Sequence, residues 1–342
     1  MEPPTGIHST AISPKKRWTI GRSFFQYMSR YPAFRIDNRW IGSLRGEKVP
    51  VDPFIPYGYF TESERMSGGT VEEVTTILLS NKECPYRCLM CDLWKHTTNE
   101  TVPVGAITSQ IAYALSRLPS TKHIKLYNSG SFFDRSAIPI EDYKPIASLL
   151  SSYESVVVES HTAFIGNDTL LFNELTTPRL EVAIGLETIH PDVLPRLNKR
   201  MTLSDFGHAV ALLTMEDIES RAFILLRPPF MSEVEGIEWA RQSIDFAFKA
   251  GVSTCVIIPV RAGNGSMDLL ARDGYFSEPG LNALEEVLSY GIGLDAGRVF
   301  ADLWDLDRFS ACNLCVDQRR ERLQQMNLQQ FVLPEIHCSC MG

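Results

Sequence analysis

The segment "ECPYRCLMCDLW", residues 83–94, places three cysteines, Cys84, Cys88 and Cys91, within eight positions of a chain that holds eight cysteines in 342 residues. Chance is a poor explanation for that density. Spacings of three and two intervening residues let the sulfurs converge while the backbone passes around them, so the loop can wrap one face of a compact inorganic cluster. One metal corner then has no protein ligand. Structural zinc normally takes four protein ligands, so a zinc reading needs a distant fourth residue, and three buried unliganded thiols are the remaining alternative.

A second set lies at the tail, where "CNLC" (312–315) and "HCSC" (337–340) supply Cys312, Cys315, Cys338 and Cys340 as two close pairs. Four thiols in two pairs suit a closed tetrahedral zinc site. An auxiliary iron-sulfur cluster and unliganded or disulfide-forming thiols are the alternatives, with His337 as a substitute ligand. Between the pairs, "VDQRRERLQQMNLQQF" reads as an amphipathic helix with a basic start. Cys255 sits in an apolar run and reads as core.

The elements that must position these residues show in the alternation of the chain. Short β-branched or apolar runs recur at 75–80, 123–128, 155–160, 180–187, 221–227 and 254–260, six candidate strands separated by helical patterns. Thr202 with Asp205, and Ser232 with Glu235, have the spacing of capping boxes that start helices. After Ser232, Ile237, Ala240, Ile244 and Phe248 mark one helical face and Gly251 supplies the C-terminal cap. Alternating βα units with nearly continuous apolar strands imply a parallel sheet covered on both faces, here an α/β partial (β/α)6 TIM-like barrel with ligands at the C-terminal strand ends. The division expected is a basic, aromatic N-terminal extension (1–73), a core barrel (74–295) and a small Cys-rich C-terminal metal-binding module (296–342).

The cysteine loop follows the first strand, on the rim where ligands bind. Glu159, Ser160 and His161 end the third strand and Glu187 the fourth, and carboxylates there can accept hydrogen bonds from a ligand amine or ribose. Ion pairing with a neighbouring Arg is the bland alternative. His161 reads as a satisfied polar neighbour rather than a base. Arg227 ends the fifth strand, and Arg261 with Asn264 follows the sixth, where arginine forks suit carboxylates and Gly263 and Gly265 permit close backbone approach.

Composition narrows the partners. The net charge of −8 argues against coating nucleic acid by bulk electrostatics. Residues 1–50, however, hold nine Lys or Arg against three acids, with Trp18, Phe24, Phe25, Tyr27 and Tyr31 interleaved. Such an arm can grip a phosphate backbone or pack on the domain through its aromatics. No 18-residue apolar run and no apolar leader is visible, so the expectation is a cytoplasmic protein with no membrane partner.

A Cys-x-x-x-Cys-x-x-Cys loop after the first strand of a βα partial barrel resembles the radical S-adenosylmethionine (radical SAM) superfamily. The resemblance implies that Cys84, Cys88 and Cys91 hold three irons of a 4Fe-4S cluster whose fourth iron chelates S-adenosylmethionine. An electron from an external donor then splits that cofactor to methionine and a 5′-deoxyadenosyl radical, which abstracts hydrogen from a substrate. It further implies that Met90 stands where an aromatic usually meets the adenine, and that "YNSGSFFD" (127–134) replaces a Gly-Gly-Glu type stretch. Asn128, Ser129, Gly130 and Ser131 would there hold the methionine moiety without the usual acid. "IGLETIHPDVLPRLNKRMTLSDF" (184–206) and "LLRPPFMSE" (225–233) resemble most the archaeosine synthase radical SAM subunit, near the catalytic Elongator subunit and the methylthiotransferases. The expected substrate is a modified transfer RNA base. Alternatives are small-molecule or peptide biosynthesis, or an iron-sulfur electron carrier or zinc-organised interaction protein without radical chemistry.

Overall fold

A computed structural model describes residues 30–339. Trp18, Phe24, Phe25 and Tyr27 of the basic arm, and Cys340 of the tail, lie outside the described residues. One sheet of eight strands organises the chain in sequential order: β1 (Gly58–Arg65), β2 (Val71–Leu78), β3 (His123–Tyr127), β4 (Ser155–Glu159), β5 (Arg179–Glu187), β6 (Glu219–Leu226), β7 (Thr254–Pro259) and β8 (Arg298–Ala301). β1 runs antiparallel to β2, and every later pair is parallel. The six strands expected from apolar runs form as β2 to β7. The partial barrel is present with one strand added at each edge, β1 from within residues 1–73 and β8 from within 296–342.

Helices cover the convex face because each strand offers it an apolar row. Ile124 and Leu126, Val156 and Val158, Val182 and Ile184, Ala222 and Ile224, and Cys255 and Ile257 are all fully buried against them. The helices begin where their caps dictate. Thr202 with Asp205 starts Leu203–Met215, Ser232 with Glu235 starts Glu233–Ala250, and Gly251 closes the latter at φ 105°, a left-handed conformation that glycine adopts without strain. Ala240 and Ile244 are buried on the face that the spacing marks. Among the described residues no helix is long and apolar enough to cross a membrane.

The concave face departs from the apolar expectation. Residues between the apolar ones carry charge: Lys125 pairs with Glu62 (2.9 Å) and Glu64, Arg221 with Glu64 (2.7 Å) and Glu181 (2.7 Å), and Arg298 with Glu181 (3.7 Å). Lys125, Glu64, Arg221 and Glu181 are buried. Their partners come from β1, β3, β5, β6 and β8, so an ion network ties the sheet together across its hollow. Tyr31, the last of the five aromatics interleaved in the arm, packs on the Phe230 ring at 5.7 Å with the Arg196 guanidinium 3.7 Å from its own.

Candidate active site

A cavity of about 770 Å³ opens at the C-terminal ends of the parallel strands. Cys84, Cys88 and Cys91 all line it, together with Met90 between the last two. Burial pushes the three thiols up, Cys84 and Cys91 to about 12 and Cys88 to about 11. Free thiols there are poor nucleophiles, whereas a bound metal cluster inverts that balance by stabilising the thiolate. Among the described residues the group of metal-ligating side chains whose atoms all lie within 4.8 Å of one another is Cys312, Cys315 and Cys338.

The loop that carries these cysteines is tethered at nearly every turn. Glu83 is held by Arg45 (2.6 Å) and Lys48 (2.9 Å), while Tyr86 stacks on His161. The Asn198 amide donates to the Arg87 carbonyl, and Leu89 N–H donates to the Leu197 carbonyl. Asn264 donates to the carbonyls of Leu89 (2.8 Å) and Cys91 (3.2 Å) and accepts from Met267 N–H. Asn264, read from sequence as a ligand grip, thus spends its amide on the backbone of the cysteine loop while also lining the cavity.

The "YNSGSFFD" stretch leaves β3 and brings Ser129, Gly130 and Ser131 to the cavity wall. Asn128 is fully buried and does not line it. Ser129 sits at φ 54°. Glu159, at the end of β4, accepts from Asn128 N–H at 2.6 Å, and burial raises its pKa against the lowering effect of the Asn128, Ser129 and Gly130 N–H groups. The stretch lacks an acid of its own among Asn128, Ser129, Gly130 and Ser131, and the neighbouring strand supplies one beneath its backbone. Tyr57 closes the same wall: its hydroxyl accepts from Ser129 Oγ, its ring stacks on His96 at 4.7 Å, and burial pushes it up to about 12.

Glu187 faces the cavity as a buried ion pair with Lys199, 2.6 Å apart. Burial opposes the charge on Lys199, but the Glu187 carboxylate raises its pKa above the usual range. Gly185 on β5 makes the space, since a Cβ there would overlap both side-chain tips. Sequence reading passed over Lys199, Tyr57 and Tyr86. The signal for Lys199 was Gly185 within a strand, which marks a close approach.

Arg261 lines the cavity but pairs with Asp302 at 2.8 Å. Arg227 is not brought in. Its φ of 55° turns it away from the rim, and its guanidinium donates to Glu233 (2.9 Å) and to the Glu278 carbonyl, at a separate hollow beside Phe230 and Tyr275. His161 is a satisfied neighbour, as read from sequence: Ala163 N–H donates to its Nδ1, and its Nε2 lies 3.0 Å from the Lys199 carbonyl.

The tail cysteines form the second centre. Cys312 and Cys338 sulfurs lie 3.9 Å apart, and Cys315 completes the group. Two thiolates on one tetrahedral zinc at about 2.3 Å stand roughly 3.8 Å apart, so the spacing fits such an ion.

A curled parallel half-barrel with a three-cysteine loop at its mouth is the architecture of a radical SAM enzyme. No family model matches the chain. It is 25% identical over 331 residues to the uncharacterized protein MJ0550 of Methanocaldococcus jannaschii, covering 87% of each chain. It is 28% identical over 199 residues to the archaeosine synthase subunit beta of Thermococcus kodakarensis, covering 54% of this chain and 61% of that one, so it spans less than two thirds of that relative's length. Among solved structures, Streptococcus suis SuiB bound to S-adenosylmethionine superposes with a TM-score of 0.48 at 10% identity, over 69% of this chain and 50% of that one. The chain is thus similar to the archaeosine synthase β subunits over about half of its length.

Proposed function

We propose that the chain cleaves S-adenosylmethionine reductively and uses the radical so formed to take hydrogen from a modified transfer RNA base. The observation that carries the first part is the cup itself: three half-buried cysteines on a tethered loop line one cavity with Met90, Ser129 to Ser131, Glu159 and the Glu187–Lys199 pair. Bound there, a 4Fe-4S cluster would supply the electron that divides S-adenosylmethionine into methionine and a 5′-deoxyadenosyl radical. Cys84, Cys88 and Cys91 would hold it. Ser129, Gly130 and Ser131 offer polar groups for the methionine moiety, while Glu187 and Lys199 offer charge to its amine, its carboxylate or the substrate, and Arg261, paired with Asp302, shapes the wall. Asn264 and Tyr86 keep the cysteine loop in place. His161, with its pKa lowered to about 4 by burial and by Lys199, stays neutral near pH 7 and orients rather than transfers protons.

The transfer RNA reading rests on the relatives named archaeosine synthase subunit beta and on the basic arm. The tail cysteines belong to the same proposal as a zinc staple, in an enzyme of the reducing cytoplasm served by an external electron donor. Anaerobic protein given S-adenosylmethionine and a strong reductant is expected to form 5′-deoxyadenosine, and Cys88→Ala to form none. Continued production by Cys88→Ala would overturn the assignment. Affinity for bulk transfer RNA that falls with salt, and that drops on removing residues 1–29, tests the substrate class.

A further inference from the structure

We propose that Trp304 is the stacking platform for a planar heteroaromatic ring of the substrate, a nucleobase turned inward from an RNA strand; this rests on the radical SAM reading of the cavity. Trp304 follows β8 and lines the same cavity as the three cysteines, yet 62% of its surface is exposed. A large indole left in water at a cavity lip is a surface that a ligand can cover.

Its position is set in advance. Trp304 N–H donates to Asp302 at 3.0 Å, and Arg261 donates both to the Trp304 carbonyl (2.5 Å) and to Asp302 (2.8 Å). The indole meets the Phe60 ring edge to face, with centroids 6.0 Å apart. β1 and β8, the two edge strands of the barrel, thereby converge on one aromatic lip. The hydrogen bonds fix the Trp304 backbone and the Phe60 edge orients its ring, and a Trp with only two side-chain torsions offers contact area at low conformational cost.

The charges around it decide what kind of flat ligand fits. Four cations line the cavity, and each is already paired: Lys95 with Asp92 (3.5 Å), Lys199 with Glu187 (2.6 Å), Arg261 with Asp302 and Arg308 with Glu278. Asp305, beside Trp304 in sequence, adds an exposed carboxylate to the lining. A phosphate drawn into this mouth would meet neutralised cations and a further acid. A base swung out of its strand meets neither, because its phosphates stay outside while the ring enters. The cavity, at about 770 Å³, lies in the upper part of the usual range for small-ligand sites, roughly 300–1,000 Å³.

The test uses the anaerobic, cluster-loaded protein with S-adenosylmethionine, titrated with bulk transfer RNA and separately with free guanosine. Wild type, Trp304→Phe and Trp304→Leu are compared. Expected is that Trp304→Phe stays within about threefold of wild-type RNA affinity, while Trp304→Leu loses about 5- to 150-fold, the range that stacking of one base is worth. Tryptophan fluorescence should be quenched by RNA in wild type and markedly less in Trp304→Phe. Leucine keeps an apolar side chain of useful size, so a merely structural Trp304 would leave RNA affinity unchanged in Trp304→Leu, and that result overturns the proposal. Quenching by guanosine with none by RNA overturns the RNA strand as its source. Failure of the wild type to form 5′-deoxyadenosine strikes instead at the radical SAM reading, whatever Trp304 binds.

Discussion

Tyr86 lies flat on His161, with ring centroids 3.9 Å apart and planes within 11°. The first belongs to the cysteine loop and the second follows β4, so the stack fastens the cluster loop to the barrel rim. The hydrogen-bond pattern assigns His161 a neutral imidazole, with Nδ1 accepting from Ala163 N–H and the Nε2 proton given to the Lys199 carbonyl.

A pH dependence follows. Burial and Lys199 lower the His161 pKa to about 4 from an ordinary 6.5. Between those values the unfolded chain takes up a proton that the folded chain refuses, so this residue's contribution to stability falls as pH drops through that window and levels off below it. His161→Phe keeps a ring for Tyr86 but removes the titration. Its denaturant midpoint should fall less steeply than wild type between pH 7 and pH 4.5, while at pH 7 it loses roughly 1 kcal/mol for each of two hydrogen bonds. Equal slopes in the two proteins would mean that the imidazole is not held neutral.

The Glu187–Lys199 pair is expected to be costly to break and replaceable as a unit. Each of Lys199→Met and Glu187→Gln leaves a buried partner uncompensated, at roughly 3–5 kcal/mol. The double variant Lys199→Met/Glu187→Leu should recover much of that stability in urea unfolding but not 5′-deoxyadenosine formation. A double variant with full cleavage activity would reduce the pair to a structural filler. Gly185→Ala, whose methyl group would overlap both tips, should displace the pair at less cost than either single variant.

What the sequence disclosed and what it concealed have physical causes. β2 to β7 were legible because their convex faces are apolar, and the cysteine loop because its spacing is rare. β1, "GYFTESER", hid because its concave residues Glu62 and Glu64 serve an ion network, and β8 because it is four residues long. Lys199 and Tyr57 reach the cavity from loops whose paths depend on the finished barrel. Strand-end position alone could not show that a left-handed backbone turns Arg227 away, nor that the Asn264 amide is taken by the cysteine loop.

Glu64 tests the network itself. Burial works against its charge, but Arg221 and Lys125 together hold its carboxyl well below the usual carboxylate range. The group therefore stabilises the fold fully above the ordinary carboxylate pKa, and that contribution is lost progressively as pH falls from there to its depressed value. Glu64→Gln should cost roughly 3–5 kcal/mol at pH 7 and flatten the acid limb of the stability curve. Unchanged stability in Glu64→Gln would mean that Glu62 and Glu181 suffice for the two cations.

The tail centre should separate from the active-site cup by metal. Elemental analysis of protein loaded with both metals should give zinc that is lost in Cys338→Ser and kept in Cys88→Ala, with iron showing the reverse pattern. Iron that followed Cys338 would make the tail an auxiliary cluster instead. The staple also bears on the cavity. Arg322 donates to the Leu333 and Pro334 carbonyls, and Cys312 follows the short turn Leu306–Phe309, whose Phe309 ring lies 5.5 Å from the Arg261 guanidinium. Zinc removal should therefore do more than lower the melting temperature. By loosening the turn that supports Arg261 and Arg308, it should raise the KM for substrate more than it lowers kcat, and kinetics on Cys338→Ser would reveal that split.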